Sequence, residues 1–255
     1  MTNNRTRAQL FGAIAMDYSR LRPGPPAAAL DWLVGIDCET VVELGAGTGL
    51  ATRQLAKVVS EVCAVEPDER MLEAFIVDST SVSLRQGSAE DIPVADGSVD
   101  GVYAFDAWHW VDLSRAVPEV ARVLRPDGQF GVAWTTIDTT LPLWAEFWSV
   151  IDGAHEGDQQ PGRFTLPEGA PFAKPEGYTL SWVRPMLLED LVSLLCTYSP
   201  VLAMEPAERA GYRRRQRDFL KQHSLVQGND LVDVPYRTVC WRTRRRNAPF
   251  LRVFD

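Results

Sequence analysis

Cysteine and histidine are scarce in this chain, and their placement removes several chemistries at once. The four cysteines, Cys38, Cys63, Cys196 and Cys240, are scattered, with no C-x-x-C pair and no neighbouring histidine. Zinc and dithiol redox motifs therefore find no support, and no metal is expected. Cys63 and Cys240 fall within apparent strands and read as buried thiols. The three histidines are His109, His155 and His223. No hydrophobic run approaches the ~20 residues of a membrane-spanning helix. The opening residues Met1-Thr2-Asn3-Asn4-Arg5 lead into no apolar core of signal type. A cytoplasmic protein without membrane contact is the expectation. Positive charge is in the minority, with 26 Lys and Arg against 34 Asp and Glu and a net charge of -8. That balance argues against a nucleic-acid partner, because phosphate binding needs a basic face. Two local exceptions, Arg213-Arg214-Arg215 with Arg217 and Arg242 with Arg244-Arg245-Arg246, read either as solvated faces or as an anion patch. No G-x-S-x-G run exists, so a hydrolase nucleophile elbow is excluded. Repeats and low-complexity segments are also absent. What remains is 255 residues with 45% hydrophobic and 24% charged content, ordinary for one globular domain.

Against this background one stretch stands out, Val41-Val42-Glu43-Leu44-Gly45-Ala46-Gly47-Thr48-Gly49. An apolar strand runs into three closely spaced glycines, and a helix is expected to follow. Glycine there permits a sharp turn and lets a ligand lie against bare backbone. Comparable turns seat a pyrophosphate on the helix N-terminus. Here the pattern is G-x-G-x-G rather than the dinucleotide G-x-G-x-x-G, and Glu43 at the mouth of the turn would repel a diphosphate. A nicotinamide-dependent oxidoreductase is thereby disfavoured. A carboxylate suits a ligand with a cationic end, and S-adenosylmethionine carries an ammonium, a sulfonium and an adenosine. A second apolar strand, Val62–Val65, ends at Glu66, about 20 residues past the first glycine, where an acid can accept both ribose hydroxyls.

Further blocks follow in order: Gln86-Gly87-Ser88-Ala89-Glu90-Asp91-Ile92-Pro93, then Asp96–Phe105, then Arg122-Val123-Leu124-Arg125-Pro126-Asp127-Gly128 and the strand Gln129–Trp134. From Val41 to Trp134 the chain resembles the class I S-adenosylmethionine-dependent methyltransferases, and among them the small-molecule enzymes of the ubiquinone-biosynthesis and trans-aconitate type. The resemblance implies a doubly wound, mostly parallel seven-stranded α/β sheet of Rossmann-like methyltransferase type, with an antiparallel edge strand. It implies one domain over 1–255: a helical N-terminal cover (1–36), a cofactor-binding core (37–136), and a substrate cover with the C-terminal sheet edge (137–255).

The resemblance also assigns residues. Gly45, Ala46 and Gly47 would line the cofactor, Glu66 would hold its ribose, and Pro67 and Met71 would flank the adenine, unless they are ordinary helix packing. Glu43 would act on the ammonium, with a capping or supporting role as the alternative. Ser88, Ala89 and Glu90 sit where the family reads the adenine edge. Turn and capping roles compete there, and the choice between Glu90 and Asp91 stays open. Phe105 and Asp106 would border the methionine moiety. Tyr18 and Arg22 match the family's aromatic-then-Arg-Pro segment, which closes over the cofactor, so Arg22 would pair its carboxylate or else be a surface arginine. Trp108-His109-Trp110 matches an aromatic-His-Trp run. His109 is either a general base for the acceptor or an orienting histidine.

The acceptor is expected to be a small molecule walled by aromatics, with Tyr18, Trp108, His109, Trp110, Trp134 and Arg163 as candidates. Oxygen methylation, of a hydroxyl or a carboxylate, leads; carbon or nitrogen methylation, or a binding module without turnover, are the alternatives. S-adenosylhomocysteine would be the product. Oligomeric state is not legible.

Periodicity predicts helices over Ala8–Arg22, Ala27–Val34, Thr48–Val59, Asp68–Ile76, Leu113–Leu124, Leu143–Ile151, Leu187–Tyr198 and Pro206–His223. It predicts strands over Thr40–Leu44, Glu61–Val65, Val82–Gln86, Val99–Phe105, Gln129–Thr135, Thr179–Arg184 and Leu231–Thr243. Asp68 is an expected N-cap. Pro118 demands either a late helix start or a kink. Gly153–Pro175 reads as a long loop or mobile cover.

Overall fold

The computed structural model describes residues 19–75, 79–152 and 162–246. Seven strands form one sheet in the order β3-β2-β1-β4-β5-β7-β6. The strands are β1 (Thr40–Leu44), β2 (Glu61–Glu66), β3 (Val82–Gln86), β4 (Val99–Phe105), β5 (Leu124–Ile137), β6 (Glu176–Leu187) and β7 (Leu231–Arg244). The pairs from β3 through β5 are parallel. β7 runs antiparallel between β5 and β6. The antiparallel strand therefore sits one position inside the edge, and β6 forms the edge itself.

Side chains alternate across the central strands and give each face its own core. Val41, Val62, Tyr103 and Ala133 pack against α1 (Ala27–Leu33) through Ala29, Leu30 and Leu33. Val42, Leu44, Val102, Ala104, Phe130, Val132 and Trp134 face the other way. They meet α4 (Leu113–Val123) through Ala116, Val117, Val120 and Val123. Strands buried on both sides read as continuous apolar runs, as β1 and β2 do. The shorter α2 (Thr52–Leu55) and α3 (Glu69–Glu73) follow β1 and β2. A third apolar cluster joins α5 (Pro142–Asp152), α6 (Leu188–Leu195) and α8 (Pro206–Gln222) to β7, with Trp144, Phe147, Leu191, Tyr212 and Tyr236 among its members.

Several expectations change. The helix after the glycines spans only Thr52–Leu55. α4 starts at Leu113, with Asp112 as a side-chain cap to the Ser114 N–H, and runs through Pro118 in its second turn. β5 begins at Leu124 and carries Pro126-Asp127-Gly128 within it, with Asp127 at φ 62°. The helix expected to reach Tyr198 breaks after Leu195 and resumes as α7 (Ser199–Leu202). Asp68 does cap α3, accepting from the Arg70 N–H. Of the expected helix Ala8–Arg22, only residues 19–21 are both described and helical. The described part of the expected cover packs onto the sheet. The Phe164 and Phe172 rings lie 5.5 and 5.7 Å from Phe130, and Trp241 Nε1 donates to the Gly162 carbonyl at 3.0 Å. Among the described residues no helix is long and apolar enough to cross a membrane.

Candidate active site at the carboxyl ends of β1, β2 and β4

The strand order reverses between β1 and β4, the position where open α/β sheets place ligands beyond their carboxyl ends. The glycine turn leaves β1 at this point. Gly45, Gly47 and Gly49 have φ of 67°, 56° and 83°, the left-handed region in which other residues are strained. Steric demand adds to this at Gly45, where a Cβ would lie 2.5 Å from the Ala107 Cβ. At Gly47 a Cβ would meet nothing within 4 Å, which leaves bare backbone facing open space.

Glu66 ends β2 and turns its carboxylate onto this backbone. Its Oε2 accepts from the Gly47 N–H at 2.8 Å and its Oε1 from the Asp68 N–H at 2.9 Å. Burial raises the Glu66 pKa, and the two N–H groups oppose the rise. Each oxygen keeps a further lone-pair site, enough for two hydroxyl donors.

Glu43 is the penultimate residue of β1 and is 2% exposed. It accepts from the Thr52 hydroxyl at 2.5 Å. Desolvation pushes its pKa up to about 8, despite that bond, with Glu66 adding to the rise and Arg53 opposing it. In the absence of a cation the group is mostly protonated at neutral pH. Sequence reasoning did not find Thr52; its one signal is a hydroxyl in the first turn after the glycines.

A cavity of about 40 Å³ is lined by Glu43, Gly45, Thr48, Phe105, Asp106 and the segment Arg22–Pro25, among others. The Arg22–Pro25 segment and the glycine turn share its walls. The buried Thr48 residue, 1% exposed, lines this cavity, and its hydroxyl has no hydrogen-bond partner among the described residues. Sequence reasoning passed over Thr48 as well.

Asp106 adopts φ 51° at the end of β4, and its Oδ1 accepts from the Thr135 N–H at 2.9 Å. Burial pushes its pKa up to about 6, with the Thr135 N–H and the Arg22 charge opposing. Arg22 donates from Nε to Thr197 Oγ1 at 2.9 Å, and its guanidinium lies 3.5 Å over the Tyr198 ring. Tyr198 keeps a buried hydroxyl without a partner among the described residues, and nothing in the sequence pointed to it.

The remaining candidates divide. Met71 is buried and Pro67 exposed. Ala89 is buried, Ser88 Oγ accepts from the Glu90 N–H at 3.3 Å, and Glu90 Oε1 accepts from the Asp112 N–H at 2.8 Å. Glu90 thus braces the start of α4. Trp108, 1% exposed, stacks edge-on against Phe130 at 4.8 Å, so core packing accounts for this side chain. His109 and Trp110 are half-buried neighbours with ring centroids 4.7 Å apart. Trp134 is buried and donates from Nε1 to His109 Nδ1 at 3.0 Å. Arg163 is exposed and is not among the residues lining the cavity. Its neighbours Gly162 and Phe164 are held against β7 and β5 instead. Tyr18 lies outside the described residues. No group of three or more His, Cys, Asp or Glu able to hold a metal occurs among the described residues.

Known proteins similar to this chain are methyltransferases. Residues 42–132 match the family described as "Methyltransferase domain". An uncharacterized methyltransferase of Mycobacterium tuberculosis is 37% identical over 243 residues, 95% of this chain and 98% of the relative. A more distant relative, a malonyl-[acyl-carrier protein] O-methyltransferase of Pectobacterium atrosepticum, is 29% identical over 206 residues, 79% of this chain and 76% of its own. A solved structure from Anaeromyxobacter dehalogenans, provisionally assigned as a type II methyltransferase, aligns with a TM-score of 0.65 and 26% identity over 88% of this chain and 97% of its own. The chain belongs to the class I S-adenosylmethionine-dependent methyltransferases.

Proposed function

We propose that the protein transfers the methyl group of S-adenosylmethionine to an oxygen of a small molecule, in the manner of the ubiquinone-biosynthesis and trans-aconitate type enzymes that its sequence blocks resemble. One observation carries the cofactor reading. Two buried carboxylates lie at the ends of adjacent strands beside an open glycine turn, Glu66 held by the Gly47 and Asp68 N–H groups and Glu43 in the cavity wall. Glu66 accepts the ribose hydroxyls, Glu43 faces the ammonium, and the orphaned Thr48 hydroxyl and the Arg22 guanidinium serve the carboxylate end. Ala46, Met71, Ser88 and Ala89 flank the adenosine side. Phe105 and Asp106 border the methionine side, toward His109 and Trp110.

S-adenosylmethionine supplies an already electrophilic methyl on its sulfonium, and the S–C bonding pair returns to sulfur as S-adenosylhomocysteine forms. The protein has to align the acceptor in line and exclude water. Closure of the Arg22–Pro25 segment, tied through Arg22 to Thr197 and Tyr198, provides that exclusion. Oxygen as acceptor is supported by the O-methyltransferase named among the relatives.

The test is calorimetry with S-adenosylmethionine, S-adenosylhomocysteine and NAD side by side, followed by S-adenosylhomocysteine release with a panel of small carboxylates and phenols. Binding of both sulfur ligands and not NAD, with turnover on an oxygen acceptor, is the expected result. Binding of NAD alone overturns the cofactor reading, and turnover only on amines overturns the oxygen acceptor.

A further inference from the structure

We infer that Asp106 is the general base of the reaction, that its Oδ2 takes the proton of an acceptor hydroxyl, and that the acceptor is a phenol or an enol. The inference rests on the oxygen-acceptor reading above and deepens it.

Asp106 follows β4 directly and lines the same cavity as Glu43, Gly45 and Gly47. The turn that leaves β4 lies against the glycine turn, since a Cβ on Gly45 would come within 2.5 Å of the Ala107 Cβ. Two bonds to β5 fix the residue. Its backbone N–H donates to the Ala133 carbonyl at 2.8 Å, and its Oδ1 accepts from the Thr135 N–H at 2.9 Å. Oδ2 accepts no hydrogen bond among the described residues. The sheet therefore orients the carboxyl group through one oxygen and leaves the other unbonded. Asp106 also adopts φ 51°, the left-handed region, and residues other than glycine held there cluster at active sites.

Three elements bring titratable groups to Asp106: Arg22 from the N-terminal segment, Tyr198 from the chain after α6, and Cys240 from β7. Glu43 lies in the wall of the same cavity. Burial outweighs the Arg22 charge and the Thr135 N–H, and it leaves the carboxyl with a pKa of about 6. Such a group is mostly ionised at neutral pH, yet it is more basic than an ordinary aspartate. A general base works best with a pKa near the operating pH. His109 is not among the residues lining the cavity, and its Nδ1 already accepts from Trp134.

The step balances without a further reactant. Asp106 Oδ2 takes the hydroxyl proton, the acceptor oxygen bonds to the methyl carbon, and the S–C bonding pair returns to sulfur. The products are an ether, S-adenosylhomocysteine and a protonated Asp106, which then loses its proton to solvent. The strength of the base sets the acceptor class. A phenol with a pKa of ~10, like the tyrosine side chain, lies ~4 pH units above such a base. An aliphatic alcohol, close to water at ~15.7, lies ~10 above it and is out of reach. A carboxylate brings no proton to remove and sets a second negative charge beside Asp106.

The test is methyl transfer by the full chain across pH 5 to 9, with phenol, 4-nitrophenol, small aliphatic alcohols, small carboxylates and small amines as acceptors, beside calorimetry of S-adenosylhomocysteine. With the cofactor saturating, kcat on phenol is expected to rise about 10-fold per pH unit up to about pH 6 and then level. Asp106→Asn keeps the turn, because asparagine shares the tolerance of aspartate for positive φ, and its amide oxygen can still accept from the Thr135 N–H. This variant is expected to lose at least about 100-fold in kcat on phenol, to lack the acid limb, and to hold S-adenosylhomocysteine affinity within about 2-fold. The loss is expected to shrink on 4-nitrophenol, which ionises without help at the upper end of the range. Wild-type turnover of phenol by D106N overturns the inference and leaves O-methylation standing. So does a loss of S-adenosylhomocysteine affinity of about 10-fold or more, which would place Asp106 on the cofactor instead. Turnover of carboxylates or aliphatic alcohols without phenols overturns the acceptor class. Binding of S-adenosylmethionine with turnover only on amines removes the oxygen reading as well. Should D106N not fold, the wild-type profile decides, because a kcat on phenol that is flat from pH 5 to 7 excludes this base.

Discussion

Raising the pH from 6 to 8 is expected to tighten S-adenosylhomocysteine binding, and Glu43 is the reason. Its carboxyl is buried at the end of β1 with a pKa near 8, raised chiefly by desolvation. The charged groups facing it are Glu66 and Arg53, with Arg22 and Asp106 across the cavity. A ligand ammonium pairs with the ionised form, so binding below pH 8 releases a proton. Ionised Glu43 makes up about one molecule in a hundred at pH 6 and about half at pH 8, while the ligand's ammonium, beside its own carboxylate, stays largely protonated over that interval. The binding-competent fraction therefore rises roughly 50-fold between pH 6 and pH 8. The same shift acts on stability. Because the folded pKa lies above the ordinary carboxyl value, the stabilising contribution is complete below about pH 4.5 and is lost as pH rises through 8, by a few kcal/mol at most. Calorimetry in two buffers of different ionisation enthalpy measures the proton release, expected to be about one per ligand near pH 6.5. Glu43→Gln is expected to flatten the acid limb and to remove the loss of stability between about pH 4.5 and pH 8. A wild-type affinity that is flat from pH 6 to 8, with no proton released, refutes the reasoning.

Three further outcomes follow from the same geometry. Glu66→Ala removes the acceptor of both ribose hydroxyls, and two bonds to a charged group at ~1.5–3 kcal/mol each imply at least a roughly 100-fold loss of cofactor affinity; calorimetry showing wild-type binding by a folded variant would sink the assignment. Alanine at Gly45 and at Gly47 separates folding from binding. Both pay about 1–2 kcal/mol of left-handed strain, but only Gly45→Ala also drives a methyl toward Ala107, so its Tm is expected to fall further, while Gly47→Ala loses ligand binding. Tyr198→Phe deletes a buried hydroxyl that has no hydrogen-bond partner among the described residues. Its thermal stability is expected to hold or rise by up to about 1 kcal/mol, with any loss confined to turnover; a clear drop in Tm would reveal a bond that the structure does not contain.

What could be read from the sequence, and what could not, divides by the range of the interaction. The three glycines announced a left-handed turn because positive φ is a property of single residues, and all three have it. Asp68 announced a cap because its partner lies two residues on. The central strands β1 and β4 were legible as apolar runs and match their expected bounds, as does the edge strand β3. Helix length after the glycines was not, since α2 ends at Leu55 although no glycine or proline follows before β2. Aromatic content is ambiguous in the same way: Trp108 and Trp134 looked like acceptor walls, but both lie in the core cluster, and buried aromatic rings serve a core as readily as a pocket. The pairing of Arg22 with Thr197 joins residues 175 positions apart, and no local pattern encodes such a contact. His109 and Trp134 are a harder case, because both were singled out and their bond was not. That bond depends on the register of β4 against β5, where Phe105 lies opposite Ala133. A shift by one residue would turn Trp134 to the other face and break that bond, which no reading of His109 or Trp134 taken alone could reveal.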